Sequence, residues 1–312
     1  MRRILVIRFS ALGDVAMLVP VVRAAAEQNP DIEFAILSRQ QTSALWQGLP
    51  ANVVFYGADL KRLHHGRKGL KKLLDEAEFE NADAVADMHS VWRSWYIDLI
   101  CLLHGISISR IRKGRLAKWL LTRGFSNKPL KRTIERYRDV FLRLGIKCVL
   151  NEPVFAEEGK SGIGIAPFAA KRGKQYPLER MEDFVAKHSK HEKVYLFGGG
   201  NHEVEILQGW ADKYENVECV AGKYTMADEL EIMRNLRLMV TMDSGNMHLA
   251  SLVGTRVVSL WGATDPKCGF LGWGQRIEDC RHTDLPCRPC AVYGERKCKY
   301  GDYRCLEFDL NI

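Results

Sequence analysis

Short apolar runs alternate with turns and helical spacings along the whole chain, the pattern of strands and helices in α/β proteins. Arg3 to Ile7 is a β-branched run bounded by charge, and the loop Arg8 to Asp14 leads into an apolar helix, Val15 to Ala26, ended by Pro30. Ile32 to Leu37 and Ala84 to Asp87 predict further strands, and Tyr96 to Leu103 a helix. Ile134, Tyr137, Phe141 and Leu144 recur at helical spacing until Gly145.

After Asn151-Glu152-Pro153 and a polar stretch, Glu157 to Ser161, the run Ile163 to Pro167 restarts the alternation. Val194 to Phe197 reads as a strand entering Gly198-Gly199-Gly200, Val204 to Trp210 as a helix, and Val217 to Val220 as a strand. Leu236 to Thr241 predicts a buried strand, followed by an Asp243-Ser244-Gly245 turn and a helix from Met247 to Val253, closed by Gly254. A second strand, Arg256 to Trp261, ends in another turn, Gly262 to Pro266. No internal repeat, heptad run or low-complexity segment interrupts the pattern. Two doubly wound α/β domains follow, with the boundary at residues 1–155 and 156–312.

Composition narrows the class. With 46% apolar and 27% charged residues the chain is that of a globular protein. Ile4 to Ile7 is too short for the core of a signal peptide, so a cytosolic location is expected. Residues 1–150 carry 25 Lys+Arg against 14 Asp+Glu, and the remainder 21 against 24, so the basicity lies in the first half. Between residues 110 and 138 the basic side chains face a single acid, Glu135, and are interleaved with Leu116, Trp119, Leu120 and Phe125. That mixture suits nucleic acid, an anionic membrane surface or a phosphorylated glycolipid, or simply a solvated basic face.

The strand, tight turn and helix around residues 236–253 describe an anion site that needs no metal. The first N–H groups of a helix lack internal partners and lie at the positive end of its dipole. Lys171, Arg172 and Lys174 follow a strand and suit a diphosphate. His248 sits on the same predicted helix and reads either as a phosphate contact or as a core histidine. Glu203, after the triglycine, is placed to accept hydrogen bonds from ribose hydroxyls, although neither that loop nor the first strand has the G-x-G-x-x-G spacing of dinucleotide sites. Asp14 reads as the N-cap of the helix at Val15, or as a general base with Arg8 nearby. Five of the nine cysteines fall at Cys280, Cys287, Cys290, Cys298 and Cys305. Cys287 and Cys290 form a CxxC, but the later pair is spaced six apart, so the zinc-ribbon pattern is incomplete. Reduced thiols in a folded tail are the expectation, with a structural zinc as the alternative.

Taken together, IRFSALGDVAMLVP, KRGKQYP, FGGGNHE and MDSGNMHLASLVGTRVVSLWGATDP resemble glycosyltransferase family 9, the ADP-heptose:lipopolysaccharide heptosyltransferases, and the LPCRPC to RCL tail looks like that family too. The resemblance implies a GT-B fold, in which two Rossmann-like domains face each other across a cleft. The N-terminal domain would take a lipid-linked sugar acceptor and the C-terminal one the nucleotide-sugar. By position it implies Asp14 as catalytic base, Lys174 on the donor phosphates, Glu203 on the nucleoside, and Asp243, Ser244, Gly245 and His248 as the rest of the donor site. Arg8 and Ser10 would then lie on the acceptor side. Where the family often has Trp before Pro177 this chain has Tyr176, a departure expected to leave stacking intact. Further implications are inverting, metal-independent transfer with no cofactor required, ADP-heptose as donor substrate, and a phosphorylated acceptor at the cytoplasmic face of an anionic membrane, with no nucleic-acid partner. A sugar-nucleotide 2-epimerase of the same architecture is the alternative. A basic nucleic-acid-binding protein would leave the donor motifs unexplained.

Overall fold

The computed structural model describes residues 1–153, 155, 158–310 and 312. The boundary expected at 155/156, and the start of the polar stretch at Glu157, touch residues outside this set. The chain divides into two compact units, residues 1–113 with 133–151 and residues 114–132 with 152–312.

In unit 1 the strands are β1 (Arg2–Ile7), β2 (Ile32–Arg39), β3 (Val53–Ala58), β4 (Ala84–Asp87) and β5 (Ser107–Arg110). All neighbours are parallel, in the order β3-β2-β1-β4-β5. Helices α1 (Leu12–Gln28), α2 (Gly66–Glu76) and α3 (Trp92–Leu103) connect them, and α5 (Thr133–Arg143) returns to this unit. The register pairs Ile7 with Leu37 on one side and Asp87 on the other. Ile4, Leu5, Val6 and Ile7 are wholly buried, as a central parallel strand covered on both faces requires.

In unit 2 the strands are β6 (Ile163–Ala166), β7 (Val194–Leu196), β8 (Val217–Cys219), β9 (Leu238–Met242), β10 (Val257–Leu260) and β11 (Cys280–Arg281). They too are parallel, ordered β11-β10-β9-β6-β7-β8. The helices are α4 (Arg115–Thr122), α6 (Leu178–His188), α7 (Asn201–Lys213), α8 (Met226–Asn235) and α9 (Gly245–Leu252). A Cβ at Gly164 would come 2.5 Å from Leu236 and Met239 side-chain atoms, so those side chains would have to shift to admit one. Among the described residues no helix is long and apolar enough to cross a membrane.

Each sheet reverses its winding once. Unit 1 runs outward from β1 to β3, then crosses to β4 and β5; unit 2 runs from β6 to β8, then crosses to β9, β10 and β11. The reversals leave the loops after β1 and β4 side by side in one unit, and those after β6 and β9 in the other. Open α/β sheets bind ligands at such switch points.

Three expectations need correction. The first helix begins at Leu12, not Val15, so Asp14 is its third residue and Ala11 is the cap. The helix after β9 begins at Gly245, two residues early, with Ser244 as its cap. Residues 114–132, expected in the N-terminal domain, belong to unit 2. There Leu121 packs with Cys268 and Val292, and the Leu130 N–H donates to the Lys267 carbonyl at 2.8 Å. Much of the basic stretch therefore sits in the unit whose overall composition is otherwise acidic.

Candidate active site residues

In unit 1 the loop after β1 places Arg8, Ser10 and Asp14 together. The Arg8 guanidinium is buried; one nitrogen donates to the Met88 carbonyl at 2.6 Å and the other lies 2.5 Å from Asp14 Oδ2. Burial opposes the Arg8 charge, but Tyr137 and Asp14 outweigh it and hold the group above its ordinary pKa. Asp14 Oδ2 also accepts from the Ala11 N–H at 3.2 Å, the reach of a third-position helix carboxylate back to the cap. It keeps a quarter of its side chain exposed, so a hydroxyl can reach it.

The loop after β4 completes this group. Asp87 is fully buried; its Oδ1 accepts from the N–H groups of His89 and Ser90, both at 2.8 Å, and its Oδ2 from the Ser94 hydroxyl at 2.9 Å. These bonds fix the path of the loop. His89 then lies with Nε2 3.4 Å from Ser10 Oγ, while Nδ1 finds no partner among the described residues. Burial, and next the charges of Arg8 and Lys113, draw its pKa down to about 3, so the ring is neutral. Along the edge strand β5 a groove of about 830 Å³ runs from Arg2 and Asp83 at the amino edge of the sheet to Ser90, Arg110 and Arg112 at the carboxyl edge, with Arg143 also lining it. Arg110 is paired with Asp98 at 2.5 Å, whereas the pKa of Arg143 is lowered by burial and then by Arg112.

In unit 2 the loop after β6 folds into a short 3₁₀ turn, Arg172–Lys174. The Lys174 ammonium lies 2.7 Å from Asp243 Oδ2 and donates to the Asp243 carbonyl at 3.0 Å. Asp243 directly follows β9 and is 5% exposed. The Ser244 and Thr241 hydroxyls are 3.1 Å apart, and α9 starts with its N-terminal N–H groups at the same sheet edge. His248 is buried on α9.

The turn after β10 abuts the Lys174 loop. The Ala263 N–H donates to the Gly173 carbonyl at 2.7 Å, and a Cβ on Gly262 would stand 2.4 Å from that oxygen. Arg288, nearly buried, reaches across this turn and donates to the carbonyls of Gly262, Thr264 and Thr283 at 2.6, 2.9 and 3.0 Å.

Glu203 stands apart from that pair, on α7 after β7, where its Oε2 accepts from the Gly199 N–H at 2.8 Å. The carboxylate thus organises the triglycine loop. Tyr176 does not present a face to a ligand. It is 1% exposed, its ring packs on Phe308 at 5.0 Å, and its hydroxyl donates to the Phe308 carbonyl. The expected stacking is internal, because the C-terminal segment covers the ring.

Sequence reasoning had not singled out Asp87, His89 or Arg288. The first two carried a signal, polar residues directly after a wholly apolar strand; Arg288, inside a CxxC, carried none.

A family model described as glycosyltransferase family 9 (heptosyltransferase) matches residues 70–301. The lipopolysaccharide heptosyltransferase 1 of Pseudomonas aeruginosa is 25% identical over 324 aligned residues, covering 96% of this chain and 88% of its own. The lipooligosaccharide heptosyltransferase 2 of Campylobacter jejuni is 22% identical over 315, covering 95% and 91%. Among solved structures, a family 9 glycosyl transferase from Veillonella parvula superposes with a TM-score of 0.71 at 17% identity, covering 98% of this chain and 92% of that one. E. coli heptosyltransferase WaaC with ADP does so at 0.68 and 18%, covering 89% and 92%. These likenesses identify the two parallel-sheet units as a GT-B fold. With its matched stretch spanning most of the sequence, the chain belongs to glycosyltransferase family 9, the heptosyltransferases.

Proposed function

We propose that Asp14 is the base, and Lys174 with the first amides of α9 the leaving-group stabilisers, of heptose transfer from ADP-heptose to a lipopolysaccharide inner-core acceptor. The observation that carries this reading is that the switch point of each sheet holds its own charged pair, Arg8 with Asp14 and Lys174 with Asp243. Asp14 takes the proton of an acceptor hydroxyl. The oxygen attacks the anomeric carbon opposite the departing ADP, and the configuration inverts. As negative charge grows on the diphosphate, Lys174 and the N–H groups at Ser244 and Gly245 meet it. Glu203 serves the nucleoside and His248 backs the donor turn. Arg8 holds Asp14 in place, and Ser10 faces the acceptor. The roles of Asp14, Lys174, Glu203, Asp243, Ser244, Gly245 and His248 follow the resemblance of their motifs to the family's, and heptose transfer agrees with the relatives' names as heptosyltransferases.

The acceptor is a phosphorylated, Kdo-bearing or already heptosylated lipid core at the cytoplasmic membrane face. The arginine-lined groove of unit 1 supports an anionic acceptor. Leu116, Trp119 and Phe125 in unit 2 are exposed at 71, 47 and 70% among basic neighbours, which suits contact with an anionic surface. An epimerase of this architecture is not favoured, since the matched family and the relatives are transferases.

Purified protein given ADP-heptose and a Kdo-containing lipid A acceptor should release ADP and yield a heptosylated lipid. A panel varying the base and sugar of the donor should single out ADP-heptose. ADP release independent of acceptor, or interconversion of the free donor without transfer, would overturn the reading.

A further inference from the structure

The last thirty residues hold little regular structure. Between β11 and the short turn Arg304–Leu306 no helix or strand occurs among the described residues. Positive φ at Gly294, Gly301 and Tyr303 bends the backbone repeatedly. A segment of this length without its own helix or strand needs another source of order.

Cys287, Cys290, Cys298 and Cys305 all line one cavity of about 30 Å³. That volume holds an ion or one to two waters, not an organic ligand. Cys280, the fifth cysteine of the tail, is not among the lining residues; it sits on β11 and accepts from the Ser259 hydroxyl at 3.5 Å. The four lining cysteines are separated by two, seven and six residues and are carried on three pinned turns. The first is tied by the Arg288 N–H to the Leu285 carbonyl and the Cys290 N–H to the Ala263 carbonyl. The second is tied by the Gly301 N–H to the Cys298 carbonyl, and the third by the Leu306 N–H to the Tyr303 carbonyl. The thiols of Cys290 and Cys298 have only long contacts, 3.8 Å to the Ala263 carbonyl and to Asp302. Arg288, Arg296, Lys299 and Arg304 line the same cavity, the charge that a dianionic tetrathiolate centre would need around it.

We propose that Cys287, Cys290, Cys298 and Cys305 form a tetrathiolate site for a structural zinc or iron ion. Among the described residues no set of side chains already converges on one point at ligating distance, so binding closes the cavity. Tetrahedral thiolate sites hold zinc at about 2.3 Å per sulfur and contribute folding energy directly. Binding releases the thiol protons and changes no oxidation state. The site would be structural: its ion takes no part in the proton or diphosphate chemistry, although the cavity shares Ala263 with the turn after β10, and it does not depend on which sugar is transferred. Its loop also carries Arg288, so the ion would brace the turn after β10.

The test is elemental analysis of the full chain purified under reducing conditions without chelator. About one equivalent of zinc or iron per chain is expected, retained in Cys280→Ser and lost in Cys290→Ser and Cys298→Ser. Should the serine variants fail to fold, cobalt(II) added to the intact chain after mercurial release of the native ion should give the visible bands of a tetrahedral thiolate centre. A chain that carries no metal and takes up no cobalt, intramolecular disulfides among the four cysteines, or metal kept after all four are replaced would each overturn the site. Loss of metal with heptose transfer retained would leave the functional assignment standing, and the converse would leave the metal site standing.

Discussion

The Arg8 guanidinium bridges the first turn of α1 and the loop after β4, 2.5 Å from the Asp14 carboxylate and 2.6 Å from the Met88 carbonyl. The base thus arrives pre-positioned, at the third place of a helix and against a buried cation. Asp14→Asn should lower kcat by about 10² to 10⁴ while ADP affinity stays the same, read by ADP release and calorimetry. Full turnover in Asp14→Ala would remove Asp14 from the mechanism. Arg8→Lys, whose ammonium has no planar fork to span both partners, should lower kcat and leave donor KM unchanged.

Lys174 is held at rest by Asp243. Its loss should appear where charge develops, so Lys174→Met is expected to cost roughly 10² to 10³ in kcat, the scale of one preorganised donor. Single-turnover kinetics with saturating donor would check it. A variant that changes only KM would reassign Lys174 to ground-state binding.

His89 sets a pH dependence. Its folded pKa, about 3, lies below the ordinary 6.5, so between these values the unfolded chain binds more protons. Stability is complete above about pH 6.5 and falls as pH drops through that window. Between pH 7.5 and about pH 3 the urea midpoint of the wild type should fall more steeply than that of His89→Gln, the difference between the two curves changing steadily down to about pH 3. Parallel curves would mean that the ring protonates freely.

The contact between the two donor loops leaves no room for a methyl group. Gly262→Ala would place Cβ 2.4 Å from the Gly173 oxygen and 2.6 Å from a Leu306 methyl carbon. Overpacking of this kind costs about 1–3 kcal/mol, and calorimetry should show Tm lowered by several degrees, with weaker ADP binding. Unchanged values for both would show that the loops separate easily.

Trp119→Ser with Phe125→Ser should reduce co-sedimentation with anionic vesicles at low salt and leave binding to neutral ones weak throughout. Equal pelleting of variant and wild type would take that face away from the membrane.

Much of the architecture was legible because parallel strands buried on both faces read as continuous apolar runs; Ala84–Asp87 was found to the residue. The loops of interest were legible for the same reason, since polar residues straight after such a run mark the carboxyl edge. Helix starts were not. Gly13 and Asp14 disguised the first turn of α1, and Gly245 that of α9, because glycine and aspartate belong equally to turns and to first turns. The placement of residues 114–132 rests on Leu121 meeting Cys268 and Val292, a contact between distant positions that no local pattern announces. The internal cover of Tyr176 is equally non-local, since Phe308 lies more than a hundred residues away in sequence.

The C-terminal stretch packs along the surface of unit 2 rather than trailing from it, burying Ala291, Val292, Cys305 and Leu306. It supplies an edge strand through Cys280 and Arg281, a guanidinium that ties three carbonyls through Arg288, and a lid for a core tyrosine through Phe308. A deletion that stops after Asp279 would therefore not trim this protein, but remove a wall of unit 2. Proteolytic nicking within residues 282–304 should report on the integrity of the donor edge.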